Sequence, residues 1–167
     1  SSAGPLLRFL RRNVRSVTTS EYFDDARPGE FRSGIQCQNV EELTYPDGQF
    51  DLCTSTEVFE HVRNDLAGFA EIFRVLKPGG AALFTVPISL HRPTVERVAY
   101  DGAEIRHVLP PVYHGDRIRG DRVLCVRDYG PDILDRLNSV GFGRTELVMP
   151  KAGMFGFARP VVLARRL

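Results

Sequence analysis

Two stretches near the middle of the chain decide the fold. Residues 50–62 read FDLCTSTEVFEHV, and residues 71–80 read EIFRVLKPGG. The first stretch begins with an apolar run that predicts a strand over Phe50–Thr54. Apolar residues then recur at helical spacing and predict a helix over Asp65–Leu76, which the Pro-Gly-Gly breaker ends. A further apolar run predicts a strand over Ala81–Val86, so the segment forms a strand–helix–strand unit.

Strand and helix patterns alternate on both sides of this unit, which is typical of an α/β domain with a parallel sheet. Upstream, a short helix is predicted over Pro5–Arg12, followed by strands over Val14–Thr19 and Ile35–Val40. Downstream, residues 87–126 lack a clear period and contain several prolines, which predicts a long irregular segment of the kind that often forms lids. The last predicted elements are a helix between Pro131 and Gly141 and two strands, over Thr145–Met149 and Pro160–Arg165.

Composition places the chain among ordinary globular domains. It has 167 residues, of which 43% are hydrophobic and 26% charged, and its formal net charge is +1. This balance gives no reason to expect nucleic acid or a membrane surface as a partner. The first residues do not predict a signal peptide, because arginines interrupt a short apolar stretch, so a cytoplasmic location is expected. The three cysteines, Cys37, Cys53 and Cys125, are too few and too scattered to predict a disulfide framework or a zinc site.

Residues 50–62 and 71–80, with the strand that ends before Pro87, together resemble the small-molecule class I S-adenosylmethionine-dependent methyltransferases. The order and spacing of strand, helix, Pro-Gly turn and strand match this family well over residues 14–86. The resemblance implies an α/β, doubly wound, mostly parallel sheet of the seven-stranded type with an antiparallel last strand. It also implies S-adenosylmethionine as cofactor and S-adenosylhomocysteine as product. Residues 1–167 are expected to form a single methyltransferase domain, with 87–127 as a substrate-side insertion or lid.

The resemblance assigns the cofactor to residues near the ends of the predicted strands, because ligands of open α/β sheets bind outside the carboxyl ends of their strands. Glu21 matches the family's acidic residue, whose two oxygens accept hydrogen bonds from ribose hydroxyls; the alternative is a solvated loop acid. Tyr22 beside it is expected to lie against the adenine. Asn39, followed by Val40, stands where the family often has aspartate, and either accepts from the adenine amino group or forms an ordinary strand-end turn. Three hydroxyl-bearing residues are expected near the methionine part of the cofactor: Thr54, Ser55 and Thr56.

The family's first strand and most of its glycine-rich loop have no counterpart in this sequence. Gly4 matches the last glycine of that loop, and Ser2 stands where another glycine is usual. In the family, this strand lies between the strands predicted here over Val14–Thr19 and Phe50–Thr54. Without it, both strands would expose unpaired backbone groups. The sequence is therefore expected to be an N-terminally truncated fragment.

Candidates for catalysis lie on the acceptor side, in the long segment after Pro87, where residues 109–116 could form a lid. The candidates are His91, Arg92, His107, Tyr113, His114 and Asp116. Methyl transfer from a sulfonium mainly requires alignment of the acceptor, and a general base only where the acceptor loses a proton. His114 and Tyr113 are the expected catalytic residues, because stiff prolines precede an aromatic ring and an imidazole; the alternative is a structured surface loop. Glu60 and His61 are expected to shape the turn after the strand over residues 50–54, with a catalytic role as the alternative.

A metal site is not expected, because His91, His107, His114 and Asp116 lack a compact ligand spacing. The same region is rich in arginine, which suits an anionic small-molecule acceptor such as a sugar nucleotide; solvated side chains are the alternative. These arginines are Arg92, Arg97, Arg106, Arg117, Arg119 and Arg122.

The expected function is S-adenosylmethionine-dependent methyl transfer to a small-molecule or glycan-precursor acceptor, by a monomer or a homodimer. The alternative is a methyltransferase-like domain that has lost catalysis and serves as a binding or scaffold subunit. The start at Ser1–Gly4 and the asparagine at position 39 favour that alternative. A nicotinamide dehydrogenase is disfavoured, because the sequence has no Gly-x-Gly-x-x-Gly loop and ends in two adjacent predicted strands.

Overall fold

The computed structural model describes residues 4–115, 122–150 and 159–167. The helices in these ranges are α1 (Pro5–Asn13), α2 (Asp65–Val75) and α3 (Ile133–Ser139), with a short 3₁₀ helix at Phe59–His61. None of the described helices has the length and apolar character needed to cross a bilayer. The strands are β1 (Ser20–Glu21), β2 (Phe31–Arg32), β3 (Ile35–Cys37), β4 (Phe50–Thr56), β5 (Leu76–Thr85), β6 (Val95–Glu96), β7 (Val98–Asp101), β8 (Glu104–His107), β9 (Tyr113–Gly115), β10 (Arg122–Leu124), β11 (Arg127–Asp128), β12 (Arg144–Val148) and β13 (Val161–Arg165).

The larger sheet contains four strands in the order β12-β13-β5-β4. Strands β4 and β5 run parallel, with Leu52 opposite Ala81 and Thr56 opposite Thr85. Helix α2 makes the crossover that a parallel pair requires. Strand β13 runs antiparallel to both of its neighbours, β5 and β12. The prediction of an α/β sheet with an antiparallel last strand is therefore confirmed.

Strand β5 begins earlier than the strand predicted over Ala81–Val86, because residues 76–80 already belong to it. The β4–β5 ladder changes register here, since Phe50 pairs with Leu76 but Leu52 pairs with Ala81. A Cβ at Gly80 would come within 2.8 Å of the Lys77 carbonyl oxygen. The Pro-Gly-Gly sequence thus forms an irregularity inside the strand, where glycine allows close backbone approach.

A separate three-stranded sheet has the order β1-β3-β2. The predicted strand over Val14–Thr19 is wrong in position, because only Ser20 and Glu21 pair with β3, opposite Gln36 and Cys37. Residues with β-branched side chains favour an extended backbone, but a strand also needs a partner for its ladder. Strand β3 offers only three residues. Within the part of the chain that the structure describes, no ladder joins β1 to β4.

The core lies between the larger sheet and helices α2 and α3. Three aromatic rings form its centre, with the Phe59 centroid 4.5 Å from that of Phe69 and 5.1 Å from that of Phe84. Helix α2 approaches this cluster through Gly68, where a Cβ would come 3.0 Å from the Phe59 ring. Aromatic pairs add about 0.5–1.5 kcal/mol beyond the burial of their area. The cluster thereby fixes the 3₁₀ helix that follows β4.

Residues 87–127 are more regular than their sequence pattern predicts. Strand β6 pairs with β11, β7 with β8 and β9 with β10, all antiparallel. The β7–β8 hairpin turns at residues 102–103, between the paired residues Asp101 and Glu104, and Gly102 has a φ of 58°. Strand β8 is exposed along its whole length, so it carries no alternation of apolar and polar residues from which a strand could be predicted. The assignment of 87–127 as an insertion in a single domain stays a prediction.

The Asp65 carboxylate at the start of α2 is 1% exposed and joins α2 to later parts of the chain. Arg136 of α3 donates two hydrogen bonds to it, from Nε to Oδ2 at 2.8 Å and from Nη2 to Oδ1 at 2.6 Å. The Tyr129 hydroxyl donates to Oδ2 at 2.9 Å. Arg127 of β11 places Nη1 3.5 Å from Oδ2 and donates from Nε to Glu96 of β6 at 2.6 Å. One buried carboxylate therefore ties α3, β11 and the residue after β11 to α2.

Replacement of Asp65 by alanine is expected to lower the free energy of unfolding by about 3–5 kcal/mol, because the buried Arg127 guanidinium would lose a neighbouring carboxylate. Urea unfolding followed by circular dichroism measures the change. Asp47→Ala is the matched control: its carboxylate also pairs with an arginine, Arg74, at 2.7 Å, but its side chain is 80% exposed. A loss below about 1 kcal/mol is expected there. Equal losses in the two variants would contradict the anchoring role of Asp65.

Candidate functional site

Strand β4 ends in the three hydroxyl-bearing residues that the sequence places near the cofactor. Thr54 and Thr56 are exposed, whereas Ser55 between them is half-buried. The Ser55 hydroxyl oxygen is buried and has no hydrogen-bond partner among the described residues. A buried hydroxyl without a partner is costly, so this position suits a polar group of a ligand.

Glu57 follows β4 directly and is a site residue that the sequence analysis missed. Its backbone has a φ of 51°, in the left-handed region that residues other than glycine seldom adopt, and its N–H donates to the Thr85 carbonyl at 2.9 Å. Its Oε2 accepts a hydrogen bond from Arg159 at 2.6 Å, while Oε1 is buried without a partner in the described ranges. Strained backbone of this kind clusters at functional sites. No sequence signal marks it, because glutamate lacks the turn preference of glycine or asparagine.

Strands β1 and β3 bring Glu21 and Asn39 to one edge of the smaller sheet. The Gln38 N–H donates to the Glu21 carbonyl at 2.9 Å, which sets the two strand ends side by side. The Glu21 side chain is half-buried, and Tyr22 is exposed. Asn39 Oδ1 accepts from the Glu41 N–H at 3.0 Å, so this residue does form the strand-end turn. The three hydroxyl-bearing residues belong to the larger sheet instead.

Val40 and Gly4, also expected at the cofactor, differ in their surroundings. Val40 packs against the core, and its Cγ1 would lie 3.5 Å from a Cβ at Gly68. Gly4 precedes α1 with a φ of 135°, a conformation that favours glycine, and a Cβ there would meet open space. The backbone conformation, rather than crowding, therefore accounts for this glycine. Ser2 lies outside the described residues.

A buried carboxylate and two imidazoles meet just beyond β4. Glu60 in the 3₁₀ helix is 1% exposed, and neither carboxylate oxygen has a hydrogen-bond partner in the described ranges. Its Oε1 lies 3.5 Å from Nδ1 of His114 and 3.8 Å from Nε2 of His61. The two imidazole rings contact edge to face, with their centroids 5.0 Å apart. The structure thus brings the expected catalytic residue His114 to the two residues for which catalysis was the alternative role.

Burial raises the pKa of Glu60 from 4.5 to about 7, and the charge of nearby Glu57 adds to the rise. Burial also raises the pKa of the Cys125 thiol to about 11, with a further contribution from Glu60. A carboxyl with a pKa near neutrality exists in both protonation states at physiological pH. That property is the one general acid–base groups need.

Tyr113 lies beside His114 on β9 but has a different environment. Its side chain is exposed, and the Arg122 guanidinium carbon lies 5.2 Å from the centroid of its ring. This separation is within the range of a cation–π contact. The structure therefore groups Tyr113 with a cation at the surface, whereas His114 turns toward Glu60.

The predicted acceptor-side arginines that the structure describes differ in their surroundings. Arg97 donates to the Asp128 carboxylate and to the Pro110 carbonyl, both at 2.6 Å. Its guanidinium therefore stabilises contacts within the chain. Arg92 and Arg106 are exposed. Arg117, Arg119 and Asp116 lie outside the described residues.

A cavity of about 380 Å³ opens at the carboxyl end of β5. Its size falls within the range of small-molecule pockets, and its place agrees with the rule that α/β sheets bind ligands at the carboxyl ends of their strands. Arg159, which pairs with Glu57, forms part of its wall, so the strained turn adjoins the cavity. The lining residues are 86–89, Arg92, Asp128, Tyr129, Arg159 and Pro160.

The larger sheet joins the parallel strands β4 and β5 to the antiparallel strand β13, as doubly wound α/β folds with an antiparallel last strand do, and polar side chains follow the carboxyl end of β4. Residues 2–84 match the family model described as a methyltransferase domain. The chain therefore belongs to the class I S-adenosylmethionine-dependent methyltransferases.

Known proteins resemble the chain over different lengths. A 24-methylenesterol C-methyltransferase 2 of Arabidopsis thaliana is 29% identical over 139 residues, which cover 79% of this chain and 36% of the relative. A ubiquinone/menaquinone biosynthesis C-methyltransferase of Hydrogenovibrio crunogenus is 41% identical over 63 residues, 38% of this chain and 24% of the relative. The chain thus spans about a third and a quarter of these two proteins.

One solved structure shares the fold over most of the chain. It is a complex between the Trm112 methyltransferase activator of Haloferax volcanii and a methyltransferase. The match has a TM-score of 0.55 at 14% identity and covers 96% of this chain and 76% of the matched chain. At this identity, the likeness supports the fold alone.

Glu60 is expected to make the folded chain less stable as the pH rises. Its folded-state pKa of about 7 exceeds the ordinary value of 4.5, so the folded state holds the proton more tightly than the unfolded state does. The free energy of unfolding should fall between about pH 4.5 and 7 and then level off, by on the order of 3 kcal/mol at most. Urea unfolding at about pH 5 and pH 8 measures this loss, which Glu60→Gln should reduce. The same pH dependence in both proteins would show that Glu60 does not cause it.

Proposed function

We propose that this chain, within its complete protein, transfers the methyl group of S-adenosylmethionine to a small-molecule acceptor. One observation carries the proposal: the residues that match the methyltransferase family, 2–84, include the polar side chains at the ends of β1, β3 and β4. Two relatives named as a sterol and a quinone-biosynthesis C-methyltransferase support a small molecule as the acceptor.

The cofactor part of the proposal assigns each group of S-adenosylmethionine to residues at the strand ends. The half-buried Glu21 carboxylate would accept hydrogen bonds from the ribose hydroxyls, and the exposed Tyr22 ring would cover the adenine. Asn39 keeps a second lone pair on Oδ1 for the adenine amino group, with Val40 as apolar wall. The Ser55 hydroxyl has no partner in the described part of the chain and fits a polar group of the methionine part, with Thr54 and Thr56 beside it. Gly4 would allow close backbone approach. When bound, the cofactor supplies a methyl group already activated on a sulfonium.

The acceptor part of the proposal places the substrate in the cavity beyond β5. Tyr129, which anchors to Asp65, gives this cavity a rigid wall. An anionic acceptor is the finer proposal and rests mainly on Arg92, whose side chain is 62% exposed and 3.8 Å from Asp128. Arg159 contributes less, because Glu57 already balances its charge.

In the catalytic part of the proposal, His114 is the general base, which takes up the proton when the acceptor must lose one. Glu60, 3.5 Å from His114 Nδ1, would orient the imidazole and stabilise its charged form. Tyr113, one residue away on the same strand, would line the approach of the acceptor.

Calorimetric titration of S-adenosylhomocysteine into the chain tests the cofactor part. Glu21→Gln is expected to weaken binding by about tenfold or more, because hydrogen bonds to a charged acceptor contribute about 1.5–3 kcal/mol. Glu42→Gln is the control, because Glu42 is an exposed carboxylate that, like Glu21, precedes α2 in the chain. This variant should bind like the wild type. No binding by the wild type, or equal affinities in all three proteins, would overturn this part.

Methyl transfer to a broad panel of small acceptors, read out as S-adenosylhomocysteine release, tests the catalytic part. His114→Asn is expected to lower kcat by about 10²–10⁴-fold for an acceptor that loses a proton, with unchanged affinity for S-adenosylhomocysteine. His91→Asn, at an exposed histidine, should keep the wild-type kcat. Cofactor binding without turnover on any acceptor would instead favour a binding or scaffold subunit.

A further inference from the structure

We propose that His61, His114 and Cys125 form a binding site for a divalent transition-metal ion of the zinc type. One possible ligand atom from each of these residues lies within 4.8 Å of the other two. Two imidazoles and a thiolate are a donor set that zinc uses in proteins. The ligand set was hidden in the sequence, because its members come from distant parts of the chain.

The separations require only a small contraction to hold an ion. Zinc lies about 2.0–2.1 Å from nitrogen and about 2.3 Å from sulfur, so tetrahedral ligand atoms sit about 3.3–3.7 Å apart. Movement of about 1 Å would bring the three atoms to that spacing. His61 and His114 are half-buried, whereas Cys125 lies in the interior, so the contraction would fall mainly on the two imidazoles.

The orientation of His61 matches that of a metal ligand. Its Nδ1 lies 2.8 Å from the Leu124 carbonyl oxygen, which can only accept a hydrogen bond. Nδ1 therefore carries the proton, and the lone pair of the neutral ring is on Nε2, the nitrogen nearer Glu60. Metal-binding histidines almost always donate their second ring N–H to a carbonyl or carboxylate in this way.

Glu60 is the second, independent observation that indicates a cation. Its carboxylate is buried, has no hydrogen-bond partner in the described ranges and faces both imidazoles through Oε1. An ion held by His61, His114 and Cys125 would place positive charge beside this carboxylate, which would then act as a fourth ligand or as a neutralising neighbour. The binding step exchanges the Cys125 thiol proton for a sulfur–metal bond and releases that proton to solvent.

The ion would add a link between three segments that already meet through backbone hydrogen bonds, since β9 pairs with β10 and the Val126 N–H donates to the Glu60 carbonyl at 2.8 Å. His61 belongs to the 3₁₀ helix after β4, His114 to β9, and Cys125 follows β10. The metal would therefore clamp the β9–β10 hairpin to the carboxyl end of the larger sheet. Metal binding and proton acceptance by His114 exclude each other where they use the same lone pair, so zinc would inhibit methyl transfer that depends on this base.

The test uses the whole chain, stripped of metal with a chelator and titrated first with Co²⁺ alone and then with Zn²⁺. Expected are a near-ultraviolet thiolate-to-cobalt absorption band and calorimetric binding of about one Zn²⁺ per chain. His114→Ala and Cys125→Ser should each weaken zinc binding by at least about tenfold, and Cys125→Ser should abolish the cobalt band. The matched controls His91→Ala and Cys53→Ser should retain both signals.

Absence of the thiolate–cobalt band in the wild-type chain would overturn the proposal, even if a variant failed to fold. Zinc binding that His114→Ala and Cys125→Ser leave unchanged would also overturn it, because the ion would then lie elsewhere. Neither cofactor nor acceptor enters this experiment, so its result is independent of the methyl-transfer proposal.

Discussion

The second half of the chain takes its position from the buried carboxylate of Asp65. Two charged oxygens in the interior are costly, and the cost is offset only when hydrogen bonds and opposite charges surround them. Arg136 and Tyr129 satisfy both oxygens, and Arg127 adds a third donor-bearing group nearby. Because these partners come from α3, from β11 and from the residue after β11, one set of contacts orients all three. Tyr129 also lines the cavity, so the same contacts shape the proposed acceptor site.

The 3₁₀ helix after β4 connects the core to the candidate site over three residues. Phe59 lies in the aromatic centre of the core, while its neighbours Glu60 and His61 contact His114. The tight turn of a 3₁₀ helix sends successive side chains in different directions. The position of the buried carboxylate therefore depends on how firmly Phe59 packs. This coupling also explains how the Glu60 carboxyl is kept in place although it has no hydrogen-bond partner among the described residues.

The sequence predicted those parts of the fold that have long hydrophobic periods or strong breakers. Helix α2, strand β4 and the strand pair β12–β13 lie within two residues of their predicted bounds, because burial of one face dictates their pattern. The strand expected over Val14–Thr19 was misplaced, because β propensity does not show whether a ladder partner is present. Exposed β8 left no periodic trace at all.

The candidate site was only partly predictable for a related reason. Residue type and location in the chain were enough to single out His114. Its contact with Glu60 and the approach of Cys125 depend on how distant segments meet in space. The left-handed backbone of Glu57 is likewise imposed by its hydrogen bond to Thr85, and its own side chain gives no sign of it.

The β7–β8 hairpin is a surface element whose exposed residues can change with little effect on the core. Apart from buried Val98, its residues lie at or near the surface, and an Arg63 hydrogen bond to the Gly102 carbonyl and an Arg63–Tyr100 cation–π contact fasten it to the body. Substitutions along β8 touch neither the aromatic core nor the Asp65 contacts. This surface can therefore accumulate changes at little cost to folding, which leaves it open to selection while the frame beneath it stays constant.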